Sequence, residues 1–157
     1  MGNHCMLTRR VAIGSLCLLG ACSGPAGIGA RGTTGSIRVT HAVAWSAAGV
    51  KAATVGMEIS NEGDVTDTLI AVTSPAGAAM LHSEVAGQGM RPVPVLPLAP
   101  RGSVRIGRGL HVMVESLGDA PATGSSIPLT LRFARAGPME LSVPVLRYSE
   151  ALTALGE

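Results

Sequence analysis

Beyond position 36 apolar and polar residues alternate with a period of two along most of the chain, the mark of half-buried strands rather than helices. Ile37, Val39 and Val43 alternate with Arg38, Thr40 and Ala42, and Val55, Met57 and Ile59 share one face of residues 53–60 before the turn Asn61-Glu62-Gly63-Asp64. Further strands are predicted over 67–73, closed by Ser74-Pro75, and over 79–85. Gly87-Gln88-Gly89 offers a hairpin tip. Met90 to Leu98 carries Pro92, Pro94 and Pro97, which rule out a central strand but suit an extended edge. Residues 104–106, 110–116, 127–134 and 140–145 complete the set, and Ser149 to Leu155 has room for one or two helical turns. Many short strands parted by Gly/Pro turns predict an all-β, immunoglobulin-like sandwich of short antiparallel strands. There is no internal repeat.

The first residues read as an address rather than as structure. Arg9 and Arg10 precede an apolar run from Val11 to Leu19, too short to span a bilayer as a helix. The run ends in Leu19-Gly20-Ala21-Cys22, which resembles the lipobox of bacterial lipoproteins, where the cysteine is acylated and becomes the first residue. The competing reading is an ordinary secretory leader cut near Ala30. Thr8-Arg9-Arg10 also resembles a twin-arginine export signal, without the Phe that such signals usually carry. The resulting plan is a signal peptide over 1–21, a flexible Gly-, Ala- and Thr-rich tether over 22–35, a sandwich domain over 36–147 and a C-terminal tail over 148–157. The expected place is the periplasm, with the protein lipid-anchored to a membrane through Cys22.

Removing that leader changes the chemistry available. Of the three cysteines, Cys5 and Cys17 leave with it and Cys22 carries the lipid, so no thiol or disulfide remains and any soft-metal chemistry must use Met and His. The net charge of +2 disappears with Arg9 and Arg10. A neutral body with 2% aromatic residues lacks both the basic field and the stacking surfaces of nucleic-acid binders, so no nucleic acid is expected as a partner.

His111 and Met113 stand two apart on a predicted strand, so their side chains leave the same face about 7 Å apart at the backbone. His82 runs into the predicted hairpin and Met90 opens its return. Imidazole and thioether form a soft, neutral ligand set that favours Cu(I) over Zn, Ca or Mg. On spacing alone an alternating methionine serves equally as a packing residue, and both readings stand.

The order of residues from Ala52 to Val145 resembles the PCuAC-domain family of periplasmic copper chaperones, which carry His, then Met, then His-x-Met at long spacing. The match is His82, Met90, His111 and Met113, with neighbours Ser74-Pro75-Ala76, Met90-Arg91-Pro92-Val93, Gly109-Leu110-His111-Val112-Met113 and Ile127-Pro128-Leu129-Thr130-Leu131-Arg132-Phe133. The resemblance implies a cupredoxin-like β-sandwich, Cu(I) held by these four residues, and a role in supplying copper for cytochrome oxidase assembly. The acceptor would be an oxidase subunit or another copper chaperone. The stretch from His82 to Met90 is shorter than usual in the family, and Tyr148 to Glu157 lacks the His- and Met-rich tail that some relatives use for Cu(II).

Other residues read more plainly. Met57 and Met139 belong to packing, and Met80 is expected in the core by the same logic, with a role as alternate sulfur ligand because it shares a face with His82 by period. His41 reads as structural, Trp45 as packing at a strand end, and Glu115 as either a solvated carboxylate or a group supporting the ligands. There is no nucleophile elbow, phosphate-binding loop or His-Glu-x-x-His helix, and blue copper would want a cysteine thiolate, so the chain does not read as an enzyme. The competing function is a metal-free sandwich serving as an interaction module of the cell envelope.

Overall fold

The structure, a computed structural model, describes residues 28–157. The signal peptide over 1–21 and Cys22 lie outside the described residues. Eleven strands form two antiparallel sheets: β1 (Ala30–Thr34), β2 (Ile37–Trp45), β3 (Ala53–Asn61), β4 (Asp67–Thr73), β5 (Ala78–Val85), β6 (Gly89–Pro92), β7 (Leu96–Leu98), β8 (Ser103–Ile106), β9 (Leu110–Glu115), β10 (Ser126–Phe133) and β11 (Gly137–Pro144). One helix, α1 (Tyr148–Leu155), follows. The larger sheet runs β1-β2-β3-β9-β5-β6, with β8 also on β3, and the smaller runs β11-β10-β4-β7. Among the described residues no helix is long and apolar enough to cross a membrane.

The all-β sandwich expected from the alternation is the fold observed. Val39, Val55, Met57, Ile59, Ile106, Val112 and Val114 from the larger sheet meet Leu69, Leu129, Leu131, Phe133, Leu141 and Val143 from the smaller, all buried. The proline-rich segment divides where it crosses from one sheet to the other. Its first part, β6, edges the larger sheet and its second, β7, edges the smaller, both positions where a missing donor is harmless.

Three expectations need correction. The tether expected over 22–35 does not hold for its last residues, because Ala30–Thr34 pairs with β2. Small side chains that bury little apolar surface allow close approach instead: a Cβ on Gly32 would lie 2.7 Å from the Met139 sulfur. Thr34 Oγ1 also donates to the Ala136 carbonyl at 2.9 Å. Backbone pairing thus does what hydrophobic burial was assumed to do.

The alternation in β2 also fails to run straight through. The pairing with β3 shifts between Thr40 and Val43, and His41 sits at φ 54°, in the left-handed region. This bulge reverses the parity of the strand. Ile37 and Val39 face the core before it and Ala42 and Ala44 after it, so Val43 and Trp45 emerge on the outer face.

Those outward residues receive the C-terminal segment, which is therefore part of the domain and no free tail. Ala151 and Leu155 of α1 are buried with Val43, and Trp45 lies against Tyr148 with ring centroids 6.1 Å apart. Glu150 accepts a hydrogen bond from the Arg147 backbone N–H at the start of α1, and Gly156 ends it at φ 72°.

Asp67, almost wholly buried, ties the smaller sheet to the turn after β10. Its carboxylate accepts hydrogen bonds from the backbone N–H groups of Thr68 (2.7 Å), Arg135 (2.9 Å) and Ala136 (2.9 Å). Burial pushes the carboxyl pKa up, but these donors and the Arg135 charge outweigh it and hold the group below its usual range. A depressed carboxyl pKa stabilises the fold above the unfolded value of about 4, and the contribution fades as pH falls through the folded value. Asp67→Ala is expected to lower the unfolding free energy at pH 7 by about 2 kcal/mol, because three partly buried donors lose their acceptor. Denaturant melts across an acid series should show the variant losing less stability than the parent between neutral pH and pH of about 3.

Candidate metal centre

The site begins with the pairing of β5 and β9. Leu81 stands opposite Val112, and both are buried. Since side chains alternate across a strand, the flanking pairs face outward together: His82 opposite His111, and Met80 opposite Met113. β6 adds Met90 to the same face, opposite Glu84, with Pro92 opposite His82. The hairpin closes tightly through Gly87 (φ 74°) and Gly89 (φ 72°), with the Gln88 N–H on the Val85 carbonyl at 2.9 Å. Short as the His82 to Met90 stretch is, it returns Met90 to the cluster, and the Met90 sulfur lies 3.2 Å from His111 Nε2.

The four residues His82, Met90, His111 and Met113 thus share one outward face, with Met90 and His82 both beside His111. The two imidazole rings are 6.4 Å apart between centroids and inclined by 30°. His82, His111 and Met113 are half-buried, and Met90 is exposed. His82 Nδ1 is buried and has no hydrogen-bond partner, an arrangement that costs about 1–3 kcal/mol unless something occupies its lone pair or takes its proton. Burial lowers the His111 pKa, the neighbouring His82 lowers it further, and Glu84 offsets part of this. Near neutral pH His111 is therefore an uncharged imidazole with a free lone pair.

Among the described residues no group of three or more His, Cys, Asp and Glu is placed to hold a metal ion. A metal on this face must accordingly use the thioethers, and a set of two imidazoles and two thioethers suits a soft monovalent ion.

Met80 is not a core residue. With 51% of its surface exposed it stands on the outer face because it has the parity of His82, whereas Met57 and Met139 are buried as expected. Glu115 is exposed at the far end of β9, opposite Ala78, and is a solvated carboxylate. The carboxylate near the ligands is instead Glu84, missed in the sequence although it is two residues from His82 on the same strand.

Sequence reading also missed the wall beside His111. α1 lies over the outer face of β2 and β3, and Leu155 occupies the space above Gly56, where an added Cβ would come within 2.6 Å of it. Trp45, Tyr148 and Leu152 thereby line one shallow recess with His111, Met90 and Glu84. Glu157 reaches the turn that leads into β9. Its carboxylate accepts the Arg108 backbone N–H at 3.1 Å and stands 3.8 Å from the Arg108 guanidinium. No local sequence pattern announces this contact, which spans the chain from residue 108 to residue 157.

Comparison with known proteins agrees with this architecture. The family described as "Putative lipoprotein LpqE-like" matches residues 36–145. The copper-bound PCuAC domain from PmoF2 is 23% identical, with a TM-score of 0.64 over 74% of this chain and 97% of that one. The apo PCuAC domain from PmoF1 is 25% identical, with a TM-score of 0.63 over 73% and 97% of the two chains. The solution structure of CuI-DR1885 from Deinococcus radiodurans is 20% identical, with a TM-score of 0.54 over 83% and 84%. The resemblance to PCuAC domains thus extends to the fold. No curated protein matches the chain.

The Glu157 contact has a measurable consequence. Glu157→Ala should cost the turn before β9 about 1 kcal/mol locally, seen as roughly fivefold faster hydrogen exchange at the Arg108 amide. Exchange in β3 and β10 should stay as in the parent.

Proposed function

We propose that the chain, which belongs to the LpqE-like family, is an extracytoplasmic Cu(I)-binding metallochaperone. One copper ion is carried as cargo by His82, Met90, His111 and Met113. The observation that carries this reading is the convergence of two imidazoles and two thioethers on one outward face, with His82 Nδ1 buried and unpartnered beside them. Soft, neutral donors bind Cu(I) without requiring a change of protonation near neutral pH. The copper-bound and Cu(I) forms of PCuAC proteins that share this fold lend support.

The geometry suits a carrier better than a permanent cofactor site. The ligands sit on the face of a sheet, and Met90 is 54% exposed, so an incoming ligand can displace them one at a time. No bond of a substrate need be broken, and the reading includes no catalytic step. Cys22 carries the lipid that keeps the domain at the periplasmic face of a membrane. The accepting protein is a cytochrome oxidase subunit or another copper chaperone.

An anaerobic titration of the full chain with Cu(I), in competition with a chromophoric Cu(I) chelator, tests the reading. One tightly held ion per chain is expected, lost in the His111→Ala, Met113→Ala double variant while circular dichroism and the melting temperature stay close to those of the parent. A chain that never competes with the chelator would instead favour the metal-free interaction module. The pH profile supplies a second expectation. Acidification releases copper by protonating imidazole, and the His111 pKa lies below the ordinary value of about 6.5. Affinity should therefore fall on acidification, and His111→Ala should lack the part of that fall that belongs to His111, below about pH 6.5. A pH profile of His111→Ala identical to that of the parent would remove His111 from the ligand set.

A further inference from the structure

We infer that Met80 and Met113 form an exit station, a pair of thioethers through which Cu(I) leaves the four-residue site for an accepting ligand. The inference rests on the copper-carrier reading and adds a direction to it. Met80 stands opposite Met113 on the adjoining strand, one step along the face from the pair His82 and His111. A directly opposed pair has its Cβ atoms about 5 Å apart, within the span that two methionine side chains bridge through one ion. Met80 is outside the core and half exposed, so its sulfur is available to solvent and to a partner.

The surroundings leave this side of the site open. Beyond His111, β3 presents Gly56 beneath Leu155, and α1 closes that direction. On the hairpin side β6 accompanies β5 only along residues 82–85. At Met80 β5 stays paired with β9 but has lost its partner on the β6 side, where the Val93 N–H on the Leu81 carbonyl at 2.8 Å is the last backbone contact and Met80 borders an open pocket with Pro92, Val93 and Pro94. An ion moving along the face from the histidines therefore reaches Met80 at a sheet edge.

The step is a ligand exchange. A Cu–S bond to Met80 forms as the Cu–N bond to His82 breaks, and the bonds to His111 and Met90 break next, leaving the ion on Met80 and Met113. Copper remains Cu(I), both sulfurs remain neutral thioethers, and neither a proton nor an electron is transferred. The acceptor's donor atoms then replace Met80 and afterwards Met113, from the solvent side.

The full chain, loaded anaerobically with one equivalent of Cu(I) and mixed in a stopped-flow instrument with excess bathocuproine disulfonate, reports the release rate directly. Met80→Leu keeps an apolar side chain of similar size at an exposed position and removes only the sulfur. It is expected to slow both release and uptake by about tenfold, the effect of one lost contact at the exchange barrier, so that their ratio and hence the affinity are preserved. In methionine-methyl NMR the Met80 signal should broaden at substoichiometric copper. Release as fast as in the parent would overturn the station. Lower affinity with unchanged uptake would also overturn it, by making Met80 a ligand of the resting site. A parent chain that takes up no Cu(I) at all would remove the carrier reading itself, an outcome distinct from either.

Discussion

Leu81 and Val112 face each other across β5 and β9 and are both buried, and this contact turns His82 with His111 and Met80 with Met113 to the outside. A slip of β5 by one residue against β9 would send His82 and Met80 into the core and Leu81 into water. Burying that polar ring without a partner would be costly, as would exposing the leucine, so the register is strongly determined. The ligand face therefore depends on hydrophobic packing on the opposite side of the same two strands. The core stabilises the sandwich and positions the site at once.

The second constraint is the reversal of parity at His41. Without the bulge, Val43 and Trp45 would point inward and α1 would have no apolar platform. Gly56 then leaves room for Leu155, and the helix becomes a wall beside His111. The site is consequently lopsided, with protein on the α1 side and an open edge at Met80. In the proposed carrier such asymmetry would shield an ion on one flank and leave it approachable on the other.

Electrostatics follow from the same geometry. Partial burial and the proximity of the two rings keep His111 uncharged near neutral pH, and Glu84 moderates this. With no thiolate in the set, the ligands bring no formal charge of their own. Copper binding as proposed would rely on the softness of sulfur and nitrogen donors, and release would not require reprotonation.

Much of the fold was legible in the residues themselves. Period-two alternation located the long strands, because a half-buried sheet demands that pattern, and the prolines between Pro92 and Pro97 marked the sheet edges, because they cannot donate. The pairing of His111 with Met113 on one face followed from strand geometry alone. Whether Met80 lay inside or outside did not, since period gives two faces and only the partner strand says which one is buried. The strand over Ala30–Thr34 escaped notice because its stability comes from backbone pairing with β2, which leaves little trace in side-chain composition. The bulge at His41, the seat of α1 and the reach of Glu157 to Arg108 were likewise hidden, each being a contact between residues distant in the chain. The sequence by itself determined which residues have the chemistry of a soft-metal site. The tertiary structure decided which of them share a face, which are covered and where the face is open, because those properties belong to register and packing between strands and not to any strand alone.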